Sequence, residues 1–66
     1  MKVTVNGSDR DVPEAMTLPA LIESLGLRPG SVVTERNGEA LTPGEARATI
    51  LADGDRLEIV RAVAGG

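Results

Sequence analysis

A chain of 66 residues makes one domain, and its lack of His and Cys removes zinc sites, thiol chemistry and disulfide staples together. Phe, Tyr and Trp are also absent, so a hydrophobic share of 41% has to build its core from Leu, Ile, Val, Met and Ala; that share suits a globule and is too high for intrinsic disorder. The net charge of −3, with seven basic residues scattered along the chain, argues against a nucleic-acid binder, and no run approaches the ~20 apolar residues of a membrane span.

A domain this small buries only about 60% of the surface its unfolded chain exposes. At roughly 0.05–0.15 kcal/mol per residue, its stability should total about 3–10 kcal/mol. No charged-then-apolar leader precedes the first strand pattern, so a cytoplasmic protein is expected.

In chain order, Lys2 to Asn6 alternates, with Val3 and Val5 on one face and Lys2 and Thr4 on the other, the period of a half-buried strand. Asn6-Gly7 tolerates the positive φ angles of a tight hairpin turn, and Asp9 to Val12 is the expected return strand, with Pro13 suggesting a strand end or an edge. Thr17 can cap a helix whose first turn accepts Pro19. Leu18, Leu21, Ile22 and Leu25 then form one apolar stripe, Glu23 and Ser24 point away, and Gly26 stops the helix.

Ser31 to Arg36 reads as a third strand, which leaves open whether Val32 or Val33 points inward. Asn37-Gly38 is a second hairpin turn, and Glu39 to Leu41 returns from it. Thr42 to Glu45 reads as a turn or one short helical turn, with Ile50 and Leu51 anchoring the connection. Asp53-Gly54-Asp55 looks like a catalytic or metal pair only on paper; with Gly54 between them the two aspartates are turn formers. Arg56 to Val63 is the last strand, with Leu57 and Ile59 on one face and Arg56, Glu58 and Val60 on the other. The expected fold class is therefore α+β, a mixed sheet of four to five strands with one main helix on one face.

Val5-Asn6-Gly7, Leu18 to Ile22, Arg36 to Glu39, Leu51 to Asp55 and the ending Glu58 to Gly66 together resemble the bacterial sulfur-carrier proteins of thiamin biosynthesis, of the ubiquitin-like β-grasp fold. The resemblance covers essentially the whole chain. It implies a single β-grasp domain over 1–66, with 62–66 as a flexible C-terminal tail. It also implies two partners, an ATP-dependent adenylating enzyme that activates the Gly66 carboxylate and a sulfur acceptor such as thiazole synthase. The chemistry it implies has a sulfur donor convert the acyl-adenylate of Gly66 to a thiocarboxylate, which would deliver the sulfur. Val63, Ala64 and Gly65 would thread a narrow channel, where glycine's lack of Cβ is an advantage. No cofactor is expected, and the free protein should be a monomer.

Several features admit a blander reading. A Gly-rich terminus alone is ordinary fraying. Val60 and Ala62, opposite Leu57 and Ile59, read either as a docking strip leading to the tail or as ordinary exposed apolar residues. Arg61 either steers the tail or pairs with an acidic partner surface, or is simply solvated. Ala62-Val63-Ala64 occupies the stretch where ubiquitin-type modifiers carry basic residues, which weakens a protein-conjugation reading. Gly7, Gly38 and Gly44 lack the strand–loop–helix setting of a phosphate loop. No nucleophile–base pair can be assembled, so the chain is not expected to be an enzyme. The same thiocarboxylate could serve tRNA thiolation, molybdopterin assembly, a cysteine pathway or a specialised metabolite, and a β-grasp interaction domain is the alternative of another class.

Overall fold

The first hairpin forms as its turn dipeptide requires. Asn6 and Gly7 take φ of 50° and 83°, and this reversal pairs β1 (Lys2–Val5) antiparallel with β2 (Ser8–Asp11). The computed structural model describes residues 1–62. Val3 and Val5 point into the core, whereas every residue of β2 is exposed, as befits an edge strand. The return strand starts one residue earlier than expected and ends at Asp11. Val12 lies beyond it and is a core residue.

Helix α1 (Leu18–Ser24) starts at Thr17, whose hydroxyl accepts a hydrogen bond from the Ala20 N–H at 3.2 Å. It ends in a Schellman motif: the Leu27 N–H reaches the Ile22 carbonyl and the Gly26 N–H reaches the Glu23 carbonyl, with Gly26 at φ 79°. Leu18, Leu21 and Ile22 are fully buried, each burial contributing about 1.5–3 kcal/mol, and Leu25 packs at the margin. Pro29–Ser31 forms a single 3₁₀ turn, so the next strand, β3 (Val32–Arg36), starts one residue later than expected.

Asn37-Gly38 repeats the geometry of the first turn, with φ of 52° and 87°, and leads into β4 (Glu39–Ala40), which stops short of Leu41. The segment read as a turn or one short helical turn is a longer helix, α2 (Pro43–Ala48). The Thr42 hydroxyl accepts from the Glu45 N–H, and the Glu45 carboxylate accepts from the Thr42 N–H, a reciprocal capping box that secures a short helix. Ile50 does not anchor the connection. It is 60% exposed and bridges to Thr17 through its backbone, while its neighbour Leu51 is buried.

Strand β5 (Arg56–Arg61) inserts between β1 and β3, giving the order β2-β1-β5-β3-β4. It runs parallel to β1 and antiparallel to β3. The strand ends at Arg61, before Ala62, and Val63, where it was expected to end, lies outside the described residues. One face of this mixed five-stranded sheet carries α1, and the buried hydrophobic residues, nine among those described, fill the space between them. This is the expected α+β architecture with one main helix on one face of a mixed sheet.

Candidate functional site

The strand that leads to the chain's last residues is the middle strand of the sheet, and asparagines hold it from both sides. Asn6 donates through Nδ2 to the Ile59 carbonyl at 3.0 Å and accepts at Oδ1 from the Ile59 N–H at 2.8 Å, while its own N–H bonds the Leu57 carbonyl. The side chain thus extends the β1–β5 ladder after β1 has turned away. Across the strand, Asn37 accepts at Oδ1 from the Arg56 N–H at 2.9 Å, and its N–H donates to the Arg56 carbonyl at 2.8 Å. Its Nδ2 donates to Asp55.

Asp55 is more than a turn former. Its buried carboxylate accepts from the Ala52 N–H, from Asn37 and from Arg36 Nε, and lies 2.9 Å from the Arg36 guanidinium in an ion pair. Burial alone would push its pKa up, but the three sets of donors and the Arg36 charge outweigh that and hold the carboxyl below its usual range. Asp53 accepts from the Lys2 N–H at 2.7 Å, which ties the same turn to β1. Both aspartates are therefore structural. Among the described residues no group of three or more acidic, His or Cys side chains could hold a metal ion.

The sheet's other face is open. Leu57 and Ile59 point to the core, so Glu58 and Val60 point outward, and Val60 is 57% exposed. In register opposite Val60 stands Val33, 46% exposed, while Val32 packs towards the core and Thr34 is buried. That settles the face that the two adjacent valines leave undecided in the sequence. Val33 and Val60 make an apolar cross-strand pair on a surface flanked by a second pair, Glu35 opposite Glu58. Like charges in direct register are unfavourable in a free sheet.

Ala62 is exposed and its N–H donates to the Ser31 carbonyl at 2.9 Å, so the chain is pinned to the 3₁₀ turn just after β5. Arg61 is exposed beside it, in register with Val32. The structure thus brings two expected docking residues, Val60 and Ala62, to the end of one strand and adds Val33. The expected tail residues Val63, Ala64, Gly65 and Gly66 lie outside the described residues. On the helix side of the sheet, an apolar cleft lies between Pro19, Ile22, Val32, Leu41 and Pro43, with Arg47 as its one titratable lining residue. It offers no chemistry.

Comparison with known proteins narrows the reading. A family model described as the ThiS family matches residues 3–66. The whole chain is 38% identical to part of a thiazole synthase of Paramagnetospirillum magneticum and 33% identical to part of one of Magnetococcus marinus. It spans only 20% of the length of each of these curated relatives. A crystal structure of the thiamine biosynthesis protein ThiS from Geobacter metallireducens superposes with a TM-score of 0.81 at 33% identity, each chain covered in full. A solution NMR structure of a thiamine biosynthesis protein from the same organism gives a TM-score of 0.75 at 33% identity, covering this chain in full and 88% of the other.

Proposed function

The chain belongs to the ThiS family, and from that membership we propose that it is a sulfur carrier supplying thiazole formation in thiamin biosynthesis, with the Gly66 carboxylate as its working group. A carboxylate is a poor electrophile. An ATP-dependent activating enzyme therefore converts it to an acyl-adenylate, expelling pyrophosphate. Sulfur from a donor displaces AMP and leaves a thiocarboxylate, whose soft sulfur is nucleophilic without any cysteine in the carrier. The carrier brings no catalytic group of its own. Its part is to present the carboxylate: Gly65 and Gly66, which lack Cβ, keep the last two residues narrow.

The observation that carries this reading is the full-length match to the family together with the placement of β5. The middle strand of the sheet, β5, ends at Arg61, and the exposed Val33–Val60 pair lies two residues before the Ala62 tether. Val33, Val60 and Ala62 form the docking strip for the activating enzyme. A basic group on that partner would relieve the repulsion between Glu35 and Glu58 while the valines lose water. A thiazole synthase is the acceptor that this reading favours, since a stretch similar to this chain makes up a fifth of two proteins that bear that name.

The test is to mask Gly66 with a C-terminal peptide tag. The tagged protein should melt at the same temperature and still bind the activating enzyme, yet transfer no sulfur. Undiminished sulfur transfer from the tagged chain would rule out the Gly66 carboxylate as the working group.

A further inference from the structure

Both asparagines of this chain, Asn6 and Asn37, are followed by glycine, the one neighbour with no side chain to hinder attack by its backbone nitrogen. We propose that these are two sites of spontaneous deamidation, that the native hydrogen bonds hold both amides out of reaction, and that the modification once made prevents β5 from closing as before.

The step is a cyclisation followed by hydrolysis. The Gly7 nitrogen attacks Cγ of Asn6; the new N–Cγ bond forms as the Cγ–Nδ2 bond breaks, and the nitrogen leaves as ammonia, taking the proton that the Gly7 amide gives up. Water then opens the five-membered imide at either carbonyl, giving aspartate or isoaspartate. Asn37 and Gly38 react in the same way. One water enters and one ammonia leaves, so each event adds about 1 Da and one negative charge. Asp53-Gly54 can form the same imide without a change in mass, which makes the mass reading specific to the asparagines.

In the folded chain neither Cγ is free to swing towards its glycine. Asn6 has both polar side-chain atoms engaged with Ile59, and Asn37 has its two engaged with Arg56 and Asp55. Two hydrogen bonds must break together before either amide can rotate, which should slow the reaction about tenfold or more against the open chain. The product cannot restore the native bonds. A carboxylate at position 6 has no donor for the Ile59 carbonyl, and one at position 37 would face the carboxylate of Asp55 where an amide now donates. Isoaspartate also lengthens the backbone within a turn that needs two successive positive φ angles.

Full-length protein is incubated in mildly alkaline buffer, half of it native and half in urea, and followed by intact mass and by peptide mapping at positions 6 and 37. In urea both sites should convert; in the native sample both should be slower by about tenfold or more. Equal rates in the two samples would overturn the protection, and no conversion in urea would overturn the site assignment. Converted chains, separated by their added charge and returned to buffer, should show a lower urea midpoint and faster hydrogen exchange at the Ile59 amide for the position 6 product. An unchanged midpoint and unchanged exchange would overturn the claim that modification keeps β5 from re-closing.

Discussion

Asp55 is where a single residue decides most. In the sequence it is one end of an Asp-Gly-Asp turn, and nothing in that tripeptide tells that Arg36 and Asn37, some twenty residues earlier, converge on it. Replacing it with Ala would strand the Ala52 N–H and the Arg36 charge, and should cost about 2–3 kcal/mol in a urea titration. Its pH dependence has a definite sign. A carboxyl whose folded pKa is depressed adds stability that is complete above the unfolded value, about 3.9, and is lost as pH falls through the folded value. Melting curves of the wild type should therefore fall below about pH 4 more steeply than those of Asp55→Asn. Parallel curves would show that Asp55 adds no such pH-linked stability. The alternation of β5 was legible from the sequence, and it makes an equally sharp contrast. Leu57→Asp should unfold the domain, whereas Val60→Asp should change stability by less than about 0.5 kcal/mol yet weaken binding to the activating enzyme. The reverse result would put the strand register off by one.

Among the elements, α1 was legible because several independent signals agree: a Thr cap, Pro in the first turn, a stripe at helical spacing and Gly at the stop. Leu21→Ala should cost about 2–5 kcal/mol and Glu23→Ala very little, and equal melting temperatures would contradict the assigned face. The second helix was underestimated. Pro43 and Gly44 read as turn residues, and the capping signal of Thr42 with Glu45 was there to be seen but offered no apolar stripe to support it. Since α2 buries no residue fully, its cap matters more, and Thr42→Ala should lower stability by about 0.5–2 kcal/mol in thermal unfolding. Ile50 was misplaced because hydrophobicity alone does not say which of two adjacent apolar residues turns inward; the backbone bridge to Thr17 turns Leu51 in and Ile50 out. The adjacent Val32 and Val33 posed the same difficulty, and only the pairing with β5 settles it.

At the scale of the whole molecule, element order and type could be read from turn dipeptides and periodicity, but the central position of β5 could not. Strand order depends on pairing between segments some fifty residues apart, such as Val5 with Leu57, which no local pattern encodes. That order matters to the proposed function, because it puts β5, the strand that ends at Arg61, in the middle of the sheet with Val60 on its open face. Gly65→Val tests the narrow-channel argument separately from docking: the variant should fold and bind the activating enzyme but fail at thiocarboxylation, since a β-branched side chain both widens and stiffens the end. Normal thiocarboxylation of this variant would dismiss the channel. The most direct measurement is the intact mass of the carrier after incubation with its activating enzyme, ATP and a sulfur donor. The mass should rise by about 16 Da, oxygen replaced by sulfur at an activated acyl group, and this gain should disappear when Gly66 is deleted and the fold is kept. An unchanged mass in the presence of a demonstrably active cognate enzyme, or the same gain in the chain lacking Gly66, would contradict the role of Gly66 as the working group.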